Sequence, residues 1–370
     1  MKESKEILLA LIRSAMWGDD LNGITQSPKW SEVLNLAQQQ TLLGLIAEVI
    51  PSLPSDIQPE KKDLARLHFT VTRIYQSHSL LNRKVAEVKR LMDQHGIHCV
   101  LFKGQGIALN YPNPLSRQCG DIDLYVGDRN FLNAMNVLEP GVDHNVGDYK
   151  HMKHSNVESE GVHIELHRIA EMLPGARQDR MFKEWTVEQL EESDLRIVEI
   201  GGTSVNLPPV SFDPLYIMNH AWHHFLNGGI GLRQLCDWSM YLHRFHKDID
   251  TEQLEYNLKR FSLYRAWQIM ASLVVRHLGL PAEECPLYTG EYDRQGDMMI
   301  EEIWKEGNFG RHSSRRDTPR PKGHFAGKFH SFRMNTSRYP AIFKISPIDA
   351  INTWIYYVIN GMKNVFVRVK

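Results

Sequence analysis

Gly120-Asp121-Ile122-Asp123-Leu124-Tyr125-Val126, preceded by Phe102-Lys103-Gly104, decides how this chain is read. In an extended segment successive side chains point to opposite faces. Asp121 and Asp123 therefore project together, while Ile122, Leu124 and Val126 cover the other face and enter a core. Two carboxylates side by side repel unless something positive sits between them. A divalent cation solves this, and hard oxygen ligands of this kind favour Mg²⁺ or Mn²⁺. The stretch Val162-His163-Ile164-Glu165-Leu166-His167 alternates again and sets Glu165 opposite Val162, Ile164 and Leu166. Three carboxylates on neighbouring strands make a two-metal phosphoryl-transfer site.

Further residues extend the pattern: Val100-Leu101-Phe102-Lys103-Gly104, then Ala108, Tyr111-Pro112, Arg117 and Asp121-Ile122-Asp123. A glycine turn, a D-x-D strand and a third carboxylate on a later strand resemble the polymerase-β-like nucleotidyltransferases. The wider string resembles a bacterial subset known mostly as uncharacterised nucleotidyltransferases. The resemblance implies two ions, Mg²⁺ or Mn²⁺, held by Asp121, Asp123 and Glu165, with Glu165 also helping to deprotonate the acceptor hydroxyl. It implies that Gly104 lets backbone N–H groups approach a triphosphate. Gln105 stands where the family often has a small hydroxyl residue, which puts that phosphate contact in doubt. Lys103 and Arg117 are natural phosphate contacts, Arg for its fork of donors; a strand-end lysine and a surface arginine are the plainer alternatives. Leu232-Arg233-Gln234-Leu235-Cys236-Asp237-Trp238 resembles helices that close the nucleotide pocket in the subset, giving Arg233 and Asp237 a substrate role. Otherwise they are an ordinary i,i+4 ion pair.

Composition bounds the rest. A chain of 370 residues with 42% apolar and 24% charged residues buries a sizeable core and has the make-up of a soluble globular protein. Its net charge of −1 argues against a dedicated nucleic-acid binder. Cys99, Cys119, Cys236 and Cys285 lack C-x-x-C spacing, so neither a zinc knot nor a disulfide framework is implied, and reduced thiols in the cytoplasm are expected. The first twenty residues do not read as a signal peptide, and no run is long enough to span a membrane.

Periodicity divides the chain into a helical region at 1–95, a mixed-sheet core at 96–210 and a helical domain at 211–370. One apolar helix from Leu34 to Val49 stops at Pro51, and a long helix from about Lys62 to Gln94 ends at His95-Gly96. A short helix from Gln105 to Asn110, a helix from Phe131 to Leu138, and a hairpin of Leu195–Ile200 with Thr203–Leu207 follow. Residues 141–160 read as a strand and loop without definite shape. Helical patterns cover Leu232–Phe245, Leu254–Leu278 and Pro347–Val367. The fold class is thus α+β, a small mixed sheet flanked by helices.

Three motifs have weaker readings. His220, His223 and His224 share a helix face, yet neither a partner glutamate nor a cysteine sits at zinc spacing, so they read as core or substrate-lining residues. His163 and His167 flank Glu165 and either orient it or line the cleft. The basic segment 311–338 suits a polyanion or simply solvent, and the last helix suits a membrane surface or the helical domain. Gly104-Gln105-Gly106 is no dinucleotide loop, because Leu109 stands where a third glycine is needed.

The expectation is a metal-dependent nucleotidyltransferase taking an NTP, ATP among the candidates, and releasing pyrophosphate. Its acceptor, whether small molecule, sugar or protein, is not written in the chain. The rivals are a degenerate nucleotide-binding scaffold and an RNA-directed nucleotide-adding enzyme.

Overall fold

The computed structural model describes residues 1–149, 152–310, 330, 333 and 336–366. Helices α1 (Lys2–Trp17), α2 (Trp30–Gln39), α3 (Leu43–Ala47) and α4 (Lys61–Gln94) lead into strand β1 (Val100–Phe102) and the short α5 (Gly104–Ala108). Next come β2 (Ile122–Tyr125), α6 (Gly127–Leu138), α7 (Val146–Tyr149), β3 (His154–Ser159) and β4 (Val162–His167). Helix α8 (Ala176–Val187) precedes the hairpin β5 (Arg196–Ile200) and β6 (Thr203–Leu207). The remainder is helical: α9 (Asp213–Asn227), α10 (Leu232–Phe245), α11 (Thr251–Arg260), α12 (Tyr264–Leu278), α13 (Asp293–Glu306), α14 (Tyr339–Ile345) and α15 (Pro347–Phe366). With 61% helix around a small mixed sheet, the chain is α+β.

The sheet runs β1-β2-β4-β3, with β2 and β4 parallel and both outer pairs antiparallel. Its two faces serve two cores. Leu101, Ile122, Leu124, Ile164 and Leu166 pack with Val85, Val88 and Met92 of α4 and Phe131 of α6. On the other face Phe102 and Tyr125 join a larger cluster with Phe212, Tyr216, Trp238 and Trp267, which also takes in Leu8, Leu11 and Ile12 of α1. The first helix and the later helices therefore share one core. Arg13 Nη1 and Trp17 Nε1 reinforce this, donating to the His277 and Leu278 carbonyls at 3.2 and 2.6 Å.

Several local expectations need correction. The apolar run from Leu34 to Val49 is two helices, not one. Thr41 takes φ +60° between them, and the buried Gln40 turns inward to accept from Leu232 N–H at 2.9 Å. Leu254–Leu278 is likewise broken, at Ser262 with φ +61°. Residues 154–167 form a hairpin that periodicity did not reveal, because its tight turn uses Glu160 at φ +51° before Gly161 at φ +78°. Helices α8 and α13 were not anticipated either. By contrast, the β5–β6 hairpin matches its expected bounds closely, and its turn shows why glycine stands at 201. A Cβ there would lie 2.5 Å from the Asn82 carbonyl oxygen of α4.

Most of the basic segment 311–338 lies outside the described residues. Arg338, counted with it, is buried and donates from Nη2 to the Phe225 carbonyl at 2.9 Å. On α15 Ala350 and Thr353 are buried while Ile351, Trp354 and Ile355 are exposed; the side chains of Tyr357, Ile359 and Met362 lie outside the description. Among the described residues no helix is long and apolar enough to cross a membrane.

Candidate active site

Register builds the site. Phe102, Asp123, Glu165 and Asn156 are partners in one row across the four strands, and Val100, Tyr125, His167 and His154 form the row two residues along. Side chains two apart on a strand share a face, so Asp121, Asp123, Glu165, His167 and His154 converge on the sheet face that looks toward α9. The first turn of α5 overhangs them. Lys103 takes φ +46° and Gly104 φ +36°, and the Gly104 Cα lies close over the Asp121 carbonyl, where a Cβ would sit 3.6 Å away.

A cavity of about 390 Å³ opens here, lined by Lys103, Gly104, Asp121, Asp123, Glu165 and, across the cleft, by residues of α9 and α10. Lys103 Nζ lies 2.7 Å from Asp123 Oδ1 and 3.2 Å from His220 Nε2. His167 Nε2 lies 2.8 Å from the same Asp123 oxygen and 3.5 Å from Glu165 Oε2. Burial alone would push the Asp123 carboxyl up, but the Lys103 ammonium and the His167 hydrogen bond hold it well below the usual carboxylate range. Asp121 moves the other way, raised by burial and by the neighbouring charge of Asp123. Glu165 is lowered, its burial outweighed chiefly by the His167 hydrogen bond.

The far wall carries the α9 histidines, read from the sequence as core or substrate-lining, and beside them Glu171, which motif reading did not find. Glu171 is buried, with Lys153 Nζ at 3.1 Å and His220 Nδ1 at 3.3 Å. Burial and the Lys103 charge keep His220 well below its ordinary value, and His224 falls to about 4 for the same two reasons. A continuous chain thus runs Asp123–Lys103–His220–Glu171–Lys153. Glu171 lies just beyond β4 without a flanking pattern, so nothing local marks it. His154 likewise sits on the strand whose shape the sequence left open.

The remaining candidates fall in different places. Arg117 does not face solvent. Its Nε and Nη2 hold both Asp237 oxygens at 2.7 and 2.8 Å, and Tyr111 donates to the same carboxylate at 2.7 Å. Asp237 therefore pairs with Arg117, 120 residues away, rather than with Arg233 on its own helix. Arg233 lines the cavity and donates from Nη1 to the Gln118 carbonyl at 3.1 Å, bracing the segment before Asp121. Gln105 is only 1% exposed and is not part of the cavity lining.

The donor set suits a cation. Asp121, Asp123 and Glu165 present hard oxygens. Beside them, His154, Glu165 and His167 each offer one ligand atom within 4.8 Å of the others, close enough to hold one ion. Residues 26–279 match the family described as an uncharacterised nucleotidyltransferase. The chain belongs to that family. The matched region begins before α2 and ends with α12, so it includes the whole sheet and both walls of the cleft. No curated protein and no solved structure matches the chain. Family membership makes nucleotidyl transfer the chemistry against which this acidic cleft is to be tested.

Proposed function

We propose that the protein is a metal-dependent nucleotidyltransferase. It would transfer a nucleoside monophosphate from an NTP to a hydroxyl or amine of an acceptor and release pyrophosphate. The observation that carries this is the pairing of Asp123 with Glu165 in register on adjacent parallel strands, with Asp121 two residues earlier on the same face.

Asp121, Asp123 and Glu165 would hold two divalent ions, Mg²⁺ or Mn²⁺. When bound, such ions neutralise charge on the transferring phosphate and lower the pKa of the attacking hydroxyl. We assign the acceptor's proton to Glu165, whose side chain is 26% exposed against 5% for Asp123. The acceptor oxygen or nitrogen attacks the α-phosphorus, the bond to the β-phosphate oxygen breaks in line, and pyrophosphate leaves. Lys103, at the mouth of the α5 turn, and Arg233, on the opposite wall, are the cations available to phosphate oxygens. Arg117 and Asp237 hold the two walls together. Gln105 is buried in the turn, with neither side-chain polar atom hydrogen-bonded, and has no contact with the cleft.

Thermal-shift titration with each NTP, with and without Mg²⁺ or Mn²⁺, tests the proposal on wild type and Asp121→Asn. A ligand at one hundred times its Kd stabilises the folded state by about 2.7 kcal/mol. The expected result is metal-dependent stabilisation by at least one NTP, absent in Asp121→Asn. No shift with any NTP at saturating metal would leave the degenerate scaffold as the better reading.

A further inference from the structure

The geometry points to a mixed imidazole–carboxylate ion site formed by His154, Glu165 and His167, which takes a first-row transition-metal dication in preference to Mg²⁺. It rests on reading this sheet face as the ion-binding side of a nucleotidyltransferase, and adds to it which ion is used and two nitrogen ligands.

Three observations carry it. First, the atoms are arranged as ligands. His154 Nδ1 is 3.9 Å and His167 Nε2 3.5 Å from Glu165 Oε2, and one ligand atom from each residue lies within 4.8 Å of the others. An ion with bonds of about 2.0–2.2 Å needs its donors roughly 3.0–3.6 Å apart at neighbouring positions. Small rotations of side chains satisfy this. Second, the site is built by register rather than by chance approach. His154 and His167 are direct strand partners, and Glu165 stands two residues from His167 on the same face.

Third, His154 is not satisfied by the protein: its Nδ1, the atom facing Glu165, is buried without a hydrogen-bond partner. A buried polar nitrogen left unpaired costs about 1–3 kcal/mol, so native chains rarely keep one without use for it. Packing alone accounts for the ring contact of His154 on His167, at 5.0 Å between centroids, but not for the orphaned nitrogen. Meanwhile Asp123 Oδ1 is engaged by both Lys103 and His167, and Glu165 by His167, which leaves His154 Nδ1 as the open donor on this side.

Donor chemistry then sets the preference. Mg²⁺ demands oxygen ligands and gives up water reluctantly. Imidazole nitrogens favour the first-row transition metals. On binding, Glu165 and His154 each donate a lone pair. His167 does so after its Nε2 proton moves to solvent and Nδ1 is protonated in its place.

Calorimetric titration of the full chain with Mn²⁺ and with Mg²⁺, paired with pulsed EPR of the Mn²⁺ form, tests this. The expected result is Mn²⁺ binding at least tenfold tighter than Mg²⁺, with ¹⁴N couplings from imidazole. His154→Gln should weaken Mn²⁺ by about 10–100-fold, leave Mg²⁺ unchanged and remove one nitrogen coupling. His154 is partly exposed, so the variant should fold, and the spectrum of wild type needs no variant at all. If both ions bind with NTP, no nitrogen coupling is seen and His154→Gln changes nothing, the mixed site is overturned while the transferase proposal stands. If wild type binds neither ion nor NTP, both are overturned.

Discussion

Lys103 Nζ and Asp123 Oδ1 are 2.7 Å apart, so a protein ammonium occupies the ground that a divalent ion would share. Burial disfavours both charges, yet each holds the other ionised: Asp123 sits well below and Lys103 above its ordinary value. In this light Lys103 is the internal counter-ion of an acidic cleft. It keeps converging carboxylates compatible with a folded chain before any ion arrives.

Lys103→Met should therefore lower stability in the absence of divalent ions. Removing one partner of a buried pair costs about 3–5 kcal/mol. Adding Mn²⁺ or Mg²⁺ should recover more stability in this variant than in wild type. Melting temperature against ion concentration checks it; parallel curves for the two proteins would show that Lys103 does not stand in for an ion.

His224 gives a pH dependence with a definite sign. Burial, then the Lys103 charge, depress it from 6.5 to about 4. Its folded value lies below its unfolded one, so the unfolded chain binds more protons between those limits. Its contribution to stability is full above about pH 6.5 and is lost as pH falls toward 4. The difference converts to about 3 kcal/mol at most. His220 and His223 are lowered too, so they add to the same acid limb. His224→Gln should flatten the fall of melting temperature from pH 7 to pH 5, measured at matched ionic strength.

Asp237→Asn should destabilise by about 3–5 kcal/mol, because it leaves the Arg117 guanidinium buried without its carboxylate. Tyr111→Phe should cost about 1 kcal/mol by losing one hydrogen bond to the same oxygen. Denaturant midpoints measure both. Tyr111→Phe should keep NTP-dependent stabilisation, since Tyr111 lies outside the cavity lining.

Gly44 of α3 predicts a steric cost far from the carboxylates. A Cβ there would lie 2.1 Å from the Ser116 carbonyl oxygen, which is backbone and cannot rotate away. Gly44→Ala should cost about 1–3 kcal/mol. It should also loosen the 114–120 segment that delivers Arg117 and Asp121, so weaker ion binding should accompany the lower stability. Calorimetric titration with Mn²⁺ reads the second effect.

Alternation by itself was enough to set Asp121, Asp123 and Glu165 opposite Ile122, Leu124, Ile164 and Leu166, because strand period and core face are local properties of a few residues. The hairpin at 196–207 and the end of α4 at Gly96 were legible for the same reason: each depends on a glycine within one turn. The breaks at Thr41 and Ser262 were not, since both are non-glycine residues at positive φ, a conformation their residue types do not signal. Motif reading gave Arg117 to phosphate and paired Asp237 with Arg233. The tertiary structure closes Arg117 on Asp237 across 120 residues, with both lining the cavity, and only folding brings such groups together. Glu171, His154 and His220 belong with the carboxylates for that reason alone. Sequence determined which residues could carry the charge; the packing of α9 and α10 against the sheet decided which charges meet, because pairing in a buried cleft is set by distance in space and not along the chain.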